Sequence, residues 1–585
     1  MYKTLLKSVG KYKKTAIATP IIIAGESVIE ALIPFTTAKL VDEIRAGCEY
    51  SVIVKYGAIL FLMACLSLVL GGAAGYTSAI AACGFARNLR RDMFHKVQTY
   101  SFENIDKFSS SSLVTRMTTD VTFAQNAFIT VIRLAIRSPL VFLFAIIMAY
   151  IMGGSLSAMF VVIVPLLVFG LYMIAKKAMP AFHSVFHKYD RMNESIEENV
   201  IAIRAVKGFA REEYEKQKFN NAALEIKRDF TKAERIVALT APLMQTCVYL
   251  NMLIVLFFGS KIAISSMGLD LDVGQISAML TYGVQILISL NMLSMVYVIL
   301  TISVESIRRI SEVLEEEPVI TNPENAIYEV KDGSVDFIGV NFKYSAHAER
   351  YALQNIDLHI KSGETVGILG GTGSGKSSLV QLIPRLYDAT EGVVKVGGVD
   401  VRQYDLETLR NNVAVVLQKN VLFSGTIKEN LLWGNENATD EEIREACRLA
   451  CADEFINSFP DGYDTKIEQN GTNVSGGQKQ RLTIARALLK KPKILILDDS
   501  TSAVDTRTDA KIRKSFREYI PSTTKIIIAQ RVASVIDADK IVIMDGGSIV
   551  DIGTHDELME RCEIYRETYD QQMKKAEGGV ANVGV

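Results

Sequence analysis

Residues 370–377 combine the residue types that bind phosphate groups. They read Gly-Gly-Thr-Gly-Ser-Gly-Lys-Ser, which fits the pattern G-x-x-x-x-G-K-[ST]. Glycines let a backbone fold tightly enough for its N–H groups to surround phosphate oxygens. Lys376 can then reach the outer phosphates, and the Ser377 hydroxyl can coordinate a magnesium ion. The segment therefore predicts a site for a nucleoside triphosphate with Mg²⁺.

The sequence around this segment supplies the elements that such a loop requires. An apolar stretch at 365–369 reads as a strand before the loop, and a helix is predicted to begin at Ser377. From about Gly333 onward, predicted strands alternate with predicted helices, which is typical of an α/β domain built on a parallel sheet. The phosphate-binding interpretation therefore agrees with its structural context.

Two further stretches of the same half carry polar residues that are candidates for the same site. The first reads Val474-Ser-Gly-Gly-Gln478 and opens a predicted helix, whose N-terminus can hold phosphate. The second is an apolar strand, Ile494–Asp498, that is followed directly by Asp499.

The composition indicates a chain with two unlike halves. Its 585 residues are too many for one hydrophobic core. The apolar share of 49% and the mean hydropathy of +0.21 are high for a chain in which 22% of residues are charged. The net charge of −1 gives no indication of a nucleic-acid partner. Seven scattered cysteines without a C-x-x-C pair predict reduced thiols, not a disulfide framework.

Apolar stretches long enough to cross a bilayer fill the first half. A membrane-spanning helix needs about 20 mostly apolar residues. Six segments qualify, near 15–38, 54–78, 129–151, 156–176, 238–259 and 275–300. Before them, the amphipathic residues 1–14 predict a helix lying at the membrane surface. The sequence thus predicts a six-span transmembrane domain over residues 1–315, followed by a linker over 316–332.

The connections between the spans alternate in length. Those after the second and fourth spans are long and rich in Lys and Arg, which accumulate on the cytoplasmic side. Both long links and both termini are therefore predicted to be cytoplasmic. Helical periodicity in the links predicts that the spans continue as helices out of the membrane. The helices are expected to turn at 117–121 and 208–214. These turns would be natural contact points for the second half, although helices that only support the spans are an alternative.

Charged residues inside the spans allow two interpretations. Glu26 and Glu30 share one face of the first span, and Arg133 and Arg137 share one face of the third. Such groups are costly in a bilayer and are often functional. They either line a polar cavity that binds cargo or form a structural ion pair between two helices.

Polar and methionine side chains in the last two spans are similarly ambiguous. These side chains predict either an adaptable, amphipathic lining for a cargo-binding site or ordinary packing between helices. These residues are Gln245, Asn251, Gln285, Asn291, Met244, Met252, Met279, Met292 and Met295.

The order of the motifs resembles the ATP-binding cassette family, and the resemblance covers essentially the whole chain. Six spans ahead of one nucleotide-binding domain resemble an exporter half-transporter. The resemblance implies a multi-domain fold, with an all-α six-helix transmembrane domain bearing long cytoplasmic extensions and an α/β P-loop domain over 333–575. Two ATPase domains of this family sandwich two nucleotides, each between one chain's phosphate loop and the other chain's signature. A dimer is therefore implied, and residues 576–585 are expected to be a disordered tail.

The resemblance also implies roles for individual residues. Tyr344 falls where the family stacks an aromatic ring on adenine, and Gln418 where a glutamine senses the γ-phosphate and magnesium. The residues implied to bind ATP are Tyr344, Gly370, Gly371, Thr372, Gly373, Ser374, Gly375, Lys376, Ser377, Ser378, Ser475, Gly476, Gly477, Gln478 and Asp505, the last in the loop 502–505 that crosses to the partner. Those implied to hold Mg²⁺ are Ser377, Gln418 and Asp498.

Two catalytic positions depart from the family pattern. Asp499 stands where fully competent members carry a glutamate as general base, and its carboxylate is one methylene shorter. Gln530 stands where they carry a switch histidine, and no histidine occurs between His359 and His555. A glutamine can donate a hydrogen bond but cannot carry imidazolium charge. With Gln418, these residues predict a site that binds ATP and hydrolyses it slowly.

These observations predict a subunit of an ATP-driven exporter in a bacterial plasma membrane. Its cargo would be an amphipathic drug, lipid or peptide, and membrane lipids would surround its spans. A different half-transporter would supply the competent catalytic residues, and this chain's signature would complete the partner's site. A homodimer with two slow sites and an ATP-gated regulatory or channel-like protein are alternatives. Six spans argue against a soluble DNA-repair ATPase, which can share the signature.

Overall fold

The computed structural model describes residues 2–267, 271–345, 348–500 and 503–581, and the chain forms two compact units. The first unit comprises Met1–Gln98 and Ser110–Glu316. The second comprises Thr99–Ser109 and Glu317–Val585. The second unit therefore includes a short segment from the first half of the chain, which the sequence did not predict.

Long helices make up the first unit. Several of them carry apolar side chains on all faces. This is expected of helices in lipid, which form all their backbone hydrogen bonds internally. In chain order the helices of the first half are α1 (Tyr2–Lys7), α2 (Lys13–Arg45), α3 (Tyr50–Gln98), α4 (Phe102–Phe108), α5 (Ser110–Thr115), α6 (Val121–Ile132), α7 (Leu134–Gly153), α8 (Phe160–Ile201), α9 (Ile203–Gly208), α10 (Glu212–Val237), α11 (Thr240–Ser265) and α12 (Val273–Glu315). All of these except α4 belong to the first unit.

Five helical stretches of the described residues are long and apolar enough to cross a membrane. They are Gly10–Arg45, Tyr50–Gln98, Ser110–Phe182, Glu212–Ser265 and Val273–Glu315. The third stretch is interrupted at Gly154, whose φ of 50° ends α7. Two of the six predicted spans therefore lie in this stretch, one on each side of Gly154.

Helices α3 and α8 continue far beyond the apolar segments that define the second and fourth spans. These segments end near residues 78 and 176, whereas α3 ends at Gln98 and α8 at Ile201. The extension of α3 alone adds about 30 Å of helix. The second long link turns between α9 and α10, at residues 208–212, which confirms that part of the prediction.

The turn of the first long link lies elsewhere than predicted. The chain turns at 99–109 instead of 117–121, because Ser101 and Asn104 form a capping box at the start of α4 and Ser109 adopts a left-handed φ of 57°. The sequence interpretation missed this capping pair.

Residues 117–120 lie within a helix, and the polar side chain of Asp120 is buried inside the first unit. They belong to a π-helical stretch, Arg116–Asp120. The Asp120 side chain is fully buried and accepts hydrogen bonds from Arg309 (2.6 Å) and Ser306 (2.9 Å) of α12. A polar run that resembled a turn is thus a helix-packing contact.

The N-terminal segment is also more closely packed than predicted. It does not form one helix over residues 1–14, because Gly10 has a φ of 51° and a 3₁₀ turn separates α1 from α2. Leu5 and Val9 are buried. The Asn88 amide of α3 donates to the Ser8 carbonyl oxygen (2.9 Å). The apolar face of this segment therefore packs on protein.

The second unit contains three sheets with surrounding helices. Its elements after α12 are β1 (Val335–Phe342), β2 (Leu353–Ile360), β3 (Thr365–Gly370), α13 (Lys376–Gln381), β4 (Glu391–Val396), β5 (Val399–Asp400), α14 (Leu406–Asn412), β6 (Val413–Val416), β7 (Gly425–Thr426), α15 (Ile427–Leu432), α16 (Asp440–Leu449), α17 (Asp453–Ile456), β8 (Lys466–Ile467), α18 (Gly476–Leu489), β9 (Ile494–Asp498), α19 (Thr506–Tyr519), β10 (Thr524–Ile528), β11 (Lys540–Asp545), β12 (Ser548–Gly553), α20 (His555–Arg561) and α21 (Glu563–Ala581).

The central sheet has the strand order β12-β11-β3-β10-β9-β6. All neighbours are parallel except β12, which is antiparallel to β11. Strand β9 is buried on both sides, with Ile494 and Ile496 in one apolar cluster and Leu495 and Leu497 in the other. Such continuous apolar runs are typical of parallel strands covered on both faces. An antiparallel sheet (β2-β1-β4-β5) and a short β7-β8 pair complete the unit.

The structure describes two segments at predicted domain boundaries. In the segment 316–332, which is predicted to be a linker, Val330 is buried and Ile327 forms a bridge with Tyr404 of the second unit. The tail predicted to be disordered begins as helix, because α21 continues to Ala581. The remainder of that tail, 582–585, lies outside the described residues.

Replacing Asp120 with Ala should destabilise the first unit by about 1–3 kcal/mol, because Arg309 and Ser306 lose a buried acceptor. The matched control is Glu305→Ala, which removes an exposed partner of Arg308 and should change stability by less than about 0.5 kcal/mol. The measurement is the thermal unfolding midpoint of the full chain in lipid nanodiscs. Equal midpoints for the two variants would contradict the role assigned to Asp120.

Candidate functional site

The phosphate loop connects β3 to α13 in the second unit. Gly373 and Gly375 adopt φ values of 81° and 92°, a region that a side chain disfavours. A Cβ atom at Gly375 would lie 2.8 Å from the Ala352 carbonyl oxygen, so this position requires glycine for two reasons. In contrast, a Cβ at Gly371 or Gly373 would meet no atom within 4 Å. The open side of the loop thus has room for a ligand.

Lys376 bends back over this loop. Its ammonium group donates to the carbonyl oxygens of Gly370 (2.9 Å) and Gly371 (2.6 Å) and to the Ser374 hydroxyl (3.2 Å). Burial lowers the pKa of Lys376, while the nearby Asp498 and Asp499 carboxylates oppose this shift. A cation held at the mouth of the loop is suited to bind phosphate oxygens.

The predicted magnesium ligands are only partly brought together. Ser377 donates a hydrogen bond to Asp498 across 3.1 Å, and burial raises the pKa of the Asp498 carboxyl group. Both side chains offer the hard oxygen atoms that Mg²⁺ prefers, so the donor set fits this ion. The third predicted ligand, Gln418, contacts Asp499 instead of Asp498.

Asp499 is held by two side-chain amides. Its Oδ2 atom accepts hydrogen bonds from Gln530 Nε2 (3.0 Å) and Gln418 Nε2 (3.4 Å). Its backbone has a left-handed φ of 48°, which Asp tolerates better than most residues, and its N–H donates to the Ile528 carbonyl oxygen (3.0 Å). Burial raises the pKa of Asp499, and the two amides act in the opposite direction. The three predicted catalytic residues therefore form one cluster.

The position of Gln530 is fixed by a residue that the sequence interpretation missed. Gln572 in α21 donates to the Gln530 carbonyl oxygen (2.9 Å), and its own side-chain oxygen accepts from the Val532 N–H (2.8 Å). No local sequence pattern identifies this contact, because Gln572 lies in a helix at the far end of the chain.

Tyr344 lies beside the phosphate loop, as the resemblance implies. Its hydroxyl group is 2.8 Å from the Ser378 hydroxyl, and its ring packs edge-on against Phe342, with 4.8 Å between centroids. Because 43% of the Tyr344 side chain remains exposed, part of the ring is accessible to a ligand.

The signature motif begins α18. Ser475 caps the helix by accepting from the Gln478 N–H (3.3 Å), and the Gln478 side chain accepts from the Ser475 N–H (2.8 Å). Ser475 and Gly476 are exposed, whereas Val474 is buried in the apolar cluster. A Cβ atom at Gly477 would lie 2.8 Å from the Ala503 carbonyl oxygen, so glycine permits close packing here.

Asp505 has a local structural role. Its carboxylate accepts from the Thr508 N–H (2.9 Å) and caps α19, and these hydrogen bonds lower its pKa. Thr501 and Ser502, earlier in the same loop, lie outside the described residues. The structure therefore places Asp505 at a helix start and gives it no contact to the phosphate loop that would support nucleotide binding within one chain.

Comparison with known proteins identifies the family. The profile of the ABC transporter transmembrane region matches residues 17–290, and the ABC transporter profile matches residues 353–502. A Bacillus subtilis relative, the uncharacterized ABC transporter ATP-binding protein YfiB, is 35% identical over 94% of this chain and 95% of its own length. The chain belongs to the ABC transporter family.

Other similarities extend over the whole chain. An uncharacterized ABC transporter ATP-binding protein of Mycobacterium tuberculosis is 34% identical over 94% of each chain. The structure of a bacterial Atm1-family ABC exporter with ATP bound matches with a TM-score of 0.81 and 23% identity, covering 96% of this chain and 98% of that chain. The predicted fold class is confirmed: a helical transmembrane domain and an α/β nucleotide-binding domain. The second unit is thus an ABC transporter ATPase domain.

Replacing Lys376 with Met should weaken ATP binding about 10- to 100-fold, because charge-assisted hydrogen bonds contribute about 1.5–3 kcal/mol. The control is Lys491→Met, which removes an exposed lysine that pairs with Glu442 and should leave affinity unchanged. Displacement of a fluorescent ATP analogue from the full chain measures both affinities. Unchanged affinity in Lys376→Met would show that ATP binds elsewhere.

Proposed function

We propose that the chain is one subunit of a heterodimeric ABC exporter, and that its own ATP site binds nucleotide but hydrolyses it slowly. The observation that carries this proposal is the Asp499 cluster, in which one carboxylate oxygen accepts from both Gln418 and Gln530. The competent family pattern has a longer carboxylate and an imidazole at these two positions.

The geometry of Asp499 disfavours general-base catalysis. A base must come within about 2.6–3.2 Å of the proton that it removes. Asp is one methylene shorter than Glu, and its backbone is fixed by the N–H bond to Ile528. The Gln418 and Gln530 amides also hold Oδ2 of Asp499, so this oxygen can take up a proton from water only after these contacts are broken. Water at this site would therefore be activated poorly.

The parts that bind nucleotide are retained. Lys376 would bind the outer phosphates, Tyr344 would stack on adenine, and Ser377 and Asp498 would hold Mg²⁺. Bound Mg²⁺ would supply charge neutralisation between the phosphate groups. The residues for nucleotide binding are present, whereas those for proton transfer are altered. The site would therefore bind ATP without hydrolysing it quickly.

A partner chain is needed to complete both ATP sites. The exposed Ser475 and Gly476 would bind the nucleotide on the partner's phosphate loop, as the family sandwich requires. Each unit also presents apolar surface: Ile201 and Phe209 at the second turn of the first unit are 79% and 81% exposed, and Trp433 of the second unit is 66% exposed. Exposed apolar groups of this kind mark protein contacts.

Transport requires that ATP distinguish two arrangements of the dimer. A ligand shifts a conformational equilibrium only through a difference in affinity for its two states. Reversing a 1:99 population takes about 5.5 kcal/mol, which a nucleotide bound by both chains could supply. Hydrolysis at the partner's competent site would then reset the dimer. The positively charged long links favour cytoplasmic ATPase domains and termini, so that cargo would leave the cytoplasm across the plasma membrane.

The charged residues of the spans divide into two groups with different environments. The Arg137 guanidinium lies 2.5 Å from Glu30 and 3.7 Å from Glu26, which favours a structural role for these three residues. Arg133 is exposed at the break between α6 and α7, and no carboxylate in the described part of the chain pairs with it. Arg133 is therefore the better candidate for contact with a polar group of the amphipathic cargo.

The polar residues of the last two spans also separate. Asn251 is fully buried, and a Cβ atom at Gly283 would lie 2.3 Å from its side chain, so Asn251 packs closely against α12. Met279 is fully buried beside Gly153. In contrast, Met292 and Met295 are exposed and remain candidates for a cargo-binding surface.

Gly476→Glu should abolish most ATP hydrolysis by the complex, whereas Asp499→Ala should change it less than about twofold. A Cβ atom at Gly476 meets only the Ala503 Cβ at 3.5 Å, so the variant fits its own chain while placing negative charge at the partner's nucleotide. In the Gly476→Glu background, Asp499→Glu with Gln530→His should raise the residual turnover roughly 10²-fold by restoring proton transfer. Phosphate release by the purified complex measures all three variants.

Three results would contradict the proposal. Brisk hydrolysis by this chain as a homodimer would remove the need for a second kind of subunit. A large loss of turnover in Asp499→Ala would show that the site is competent. ATP binding without ATP-dependent uptake of an amphipathic dye into inverted vesicles would favour a regulatory or channel-like protein.

Arg133→Ala and Arg137→Ala should separate cargo contact from structure. Arg133→Ala should lower dye transport at least threefold without changing the unfolding midpoint, because no carboxylate loses a partner. Arg137→Ala should lower the midpoint, because Glu26 and Glu30 would then share a low-dielectric region unpaired. Transport and thermal unfolding are measured on the same preparations. A lower midpoint in Arg133→Ala would argue against a role in cargo binding.

A further inference from the structure

The side-chain amide of Gln572 bridges two backbone groups of the segment that follows β10. Its Nε2 atom donates to the Gln530 carbonyl oxygen (2.9 Å), and its Oε1 atom accepts from the Val532 N–H (2.8 Å). A primary amide carries a donor and an acceptor in one plane, so it can hold both backbone groups at once. The path of the chain between Gln530 and Val532 is therefore constrained by this side chain.

The bridged segment lies between two regular elements. The Ala529 N–H donates to the Ile368 carbonyl oxygen (3.2 Å) and continues the bonding to β3 by one residue beyond β10. The 3₁₀ turn Val532–Ser534 follows, and its Ser534 N–H donates to the Arg531 carbonyl oxygen (3.1 Å). Gln572 thus bonds the chain at the place where it has left the sheet and is entering the turn.

Helix α21 presents Gln572 from a face that is anchored in the second unit. Tyr565, Tyr569 and Gln572 follow each other at intervals of four and three residues, so they share one face of the helix. Tyr565 is buried in the same apolar cluster as Val532, and its hydroxyl group lies 2.7 Å from His555 Nδ1. The ring centroids of Tyr569 and His555 are 5.3 Å apart. The position from which Gln572 reaches the segment is therefore set by the packing of α21.

The segment that Gln572 holds carries one of the two altered catalytic positions. Gln530 Nε2 donates to Asp499 Oδ2 across 3.0 Å. Hydrogen bonds of this kind have donor–acceptor distances of about 2.7–3.2 Å and weaken steeply when they are misaligned. Because the backbone determines where a side chain can reach, a shift of the segment would move the side chain at 530 away from the carboxylate. Gln572 bonds backbone atoms, so the constraint applies to any residue at 530.

We propose that Gln572 is a positioning residue of the ATP site, which holds the side chain at 530 against the carboxylate at 499 by fixing the backbone between 530 and 532. This inference rests on the proposed function, in which positions 499 and 530 limit hydrolysis at a site that binds ATP. Loss of the Gln572 amide impairs hydrolysis and leaves nucleotide binding intact, because the phosphate loop and Tyr344 lie outside the segment that it holds.

The activity test uses the purified complex after the competent pair has been restored to this chain. The background carries Gly476→Glu, Asp499→Glu and Gln530→His, so that hydrolysis at this chain's own site is measured. Gln572→Met keeps the length of the side chain and removes both hydrogen bonds. It should lower kcat at least tenfold while KM for ATP stays within twofold, because misplacement by about 1 Å can cost about 10²-fold in rate. Phosphate release measures both constants.

Two further variants separate positioning from folding. Gln571→Met is the matched control, since it makes the same replacement at the exposed neighbouring residue of α21, and it should leave kcat and KM unchanged. Gln572→Glu keeps an acceptor for the Val532 N–H but has no donor for the carbonyl oxygen at 530, so it should lower kcat less than Gln572→Met does. The thermal unfolding midpoint of the background should be the same in all three variants.

A second readout is independent of hydrolysis. Hydrogen–deuterium exchange of the Val532 amide is followed with overlapping peptides in the full-length complex that retains Asp499 and Gln530. Gln572→Met should speed this exchange at least tenfold, because the amide loses its acceptor. Gln571→Met and Gln572→Glu should leave it within twofold, since an acceptor at 572 remains in both.

The possible results distinguish the positioning role from the proposed function. An unchanged kcat in Gln572→Met would overturn the role of Gln572. A rise in KM that matches the loss in kcat, or a lower unfolding midpoint, would also overturn it, because the effect would then be general. If the background hydrolysed ATP no faster than Gly476→Glu alone, the proposed function would fail. Unchanged exchange at Val532 in Gln572→Met would overturn the positioning role whichever of these results was obtained.

Discussion

The parallel register of β3, β10, β9 and β6 places the phosphate loop, the two aspartates after β9 and Gln530 at one edge of the central sheet. Ile528 of β10 is paired with Ile368 of β3 on one side and with Asp498 of β9 on the other. The carboxyl ends of these strands therefore meet at one edge of the sheet, which is where ligands of open α/β folds bind. A shift by one residue would move each strand's side chains to the opposite face and separate the site.

The same register fixes the backbone position of Asp499, on which the proposed slow hydrolysis depends. The residue follows β9 directly, and its N–H is bonded to the last residue of β10. The backbone therefore cannot move forward to compensate for the shorter side chain. Gln530 follows β10 and reaches the same carboxylate, so the two altered positions are structural neighbours. Both amides contact the same carboxylate oxygen, so Asp499 is held in place by its side chain as well as by its backbone.

The sequence predicted the elements whose signals are local. The phosphate loop, the β9 aspartates and the apolar spans could be found because glycine spacing, strand ends and hydropathy are read within one short window. The turn at 99–109 was missed because its signal, Ser101 with Asn104, is a capping box without charge, whereas the Thr-Thr-Asp run at 118–120 resembled a loop. Asp120 could be understood only with Arg309 in place, nearly two hundred residues away. Gln572 was missed for the same reason, since its contacts are formed by tertiary packing.

A slow ATP site has a specific consequence for how the two chains would divide the transport cycle. If nucleotide remains bound here, as proposed, the phosphate loop would stay occupied through successive turnovers. Only the partner's site would then change its occupancy fast enough to open and close the dimer. Because a ligand that never leaves cannot drive a cyclic change, the role left to this site is to set the resting equilibrium from which the partner's ATP works. Such a constitutive role would require residues that still bind the nucleotide beside a carboxylate that activates water poorly, which is the combination proposed for this site.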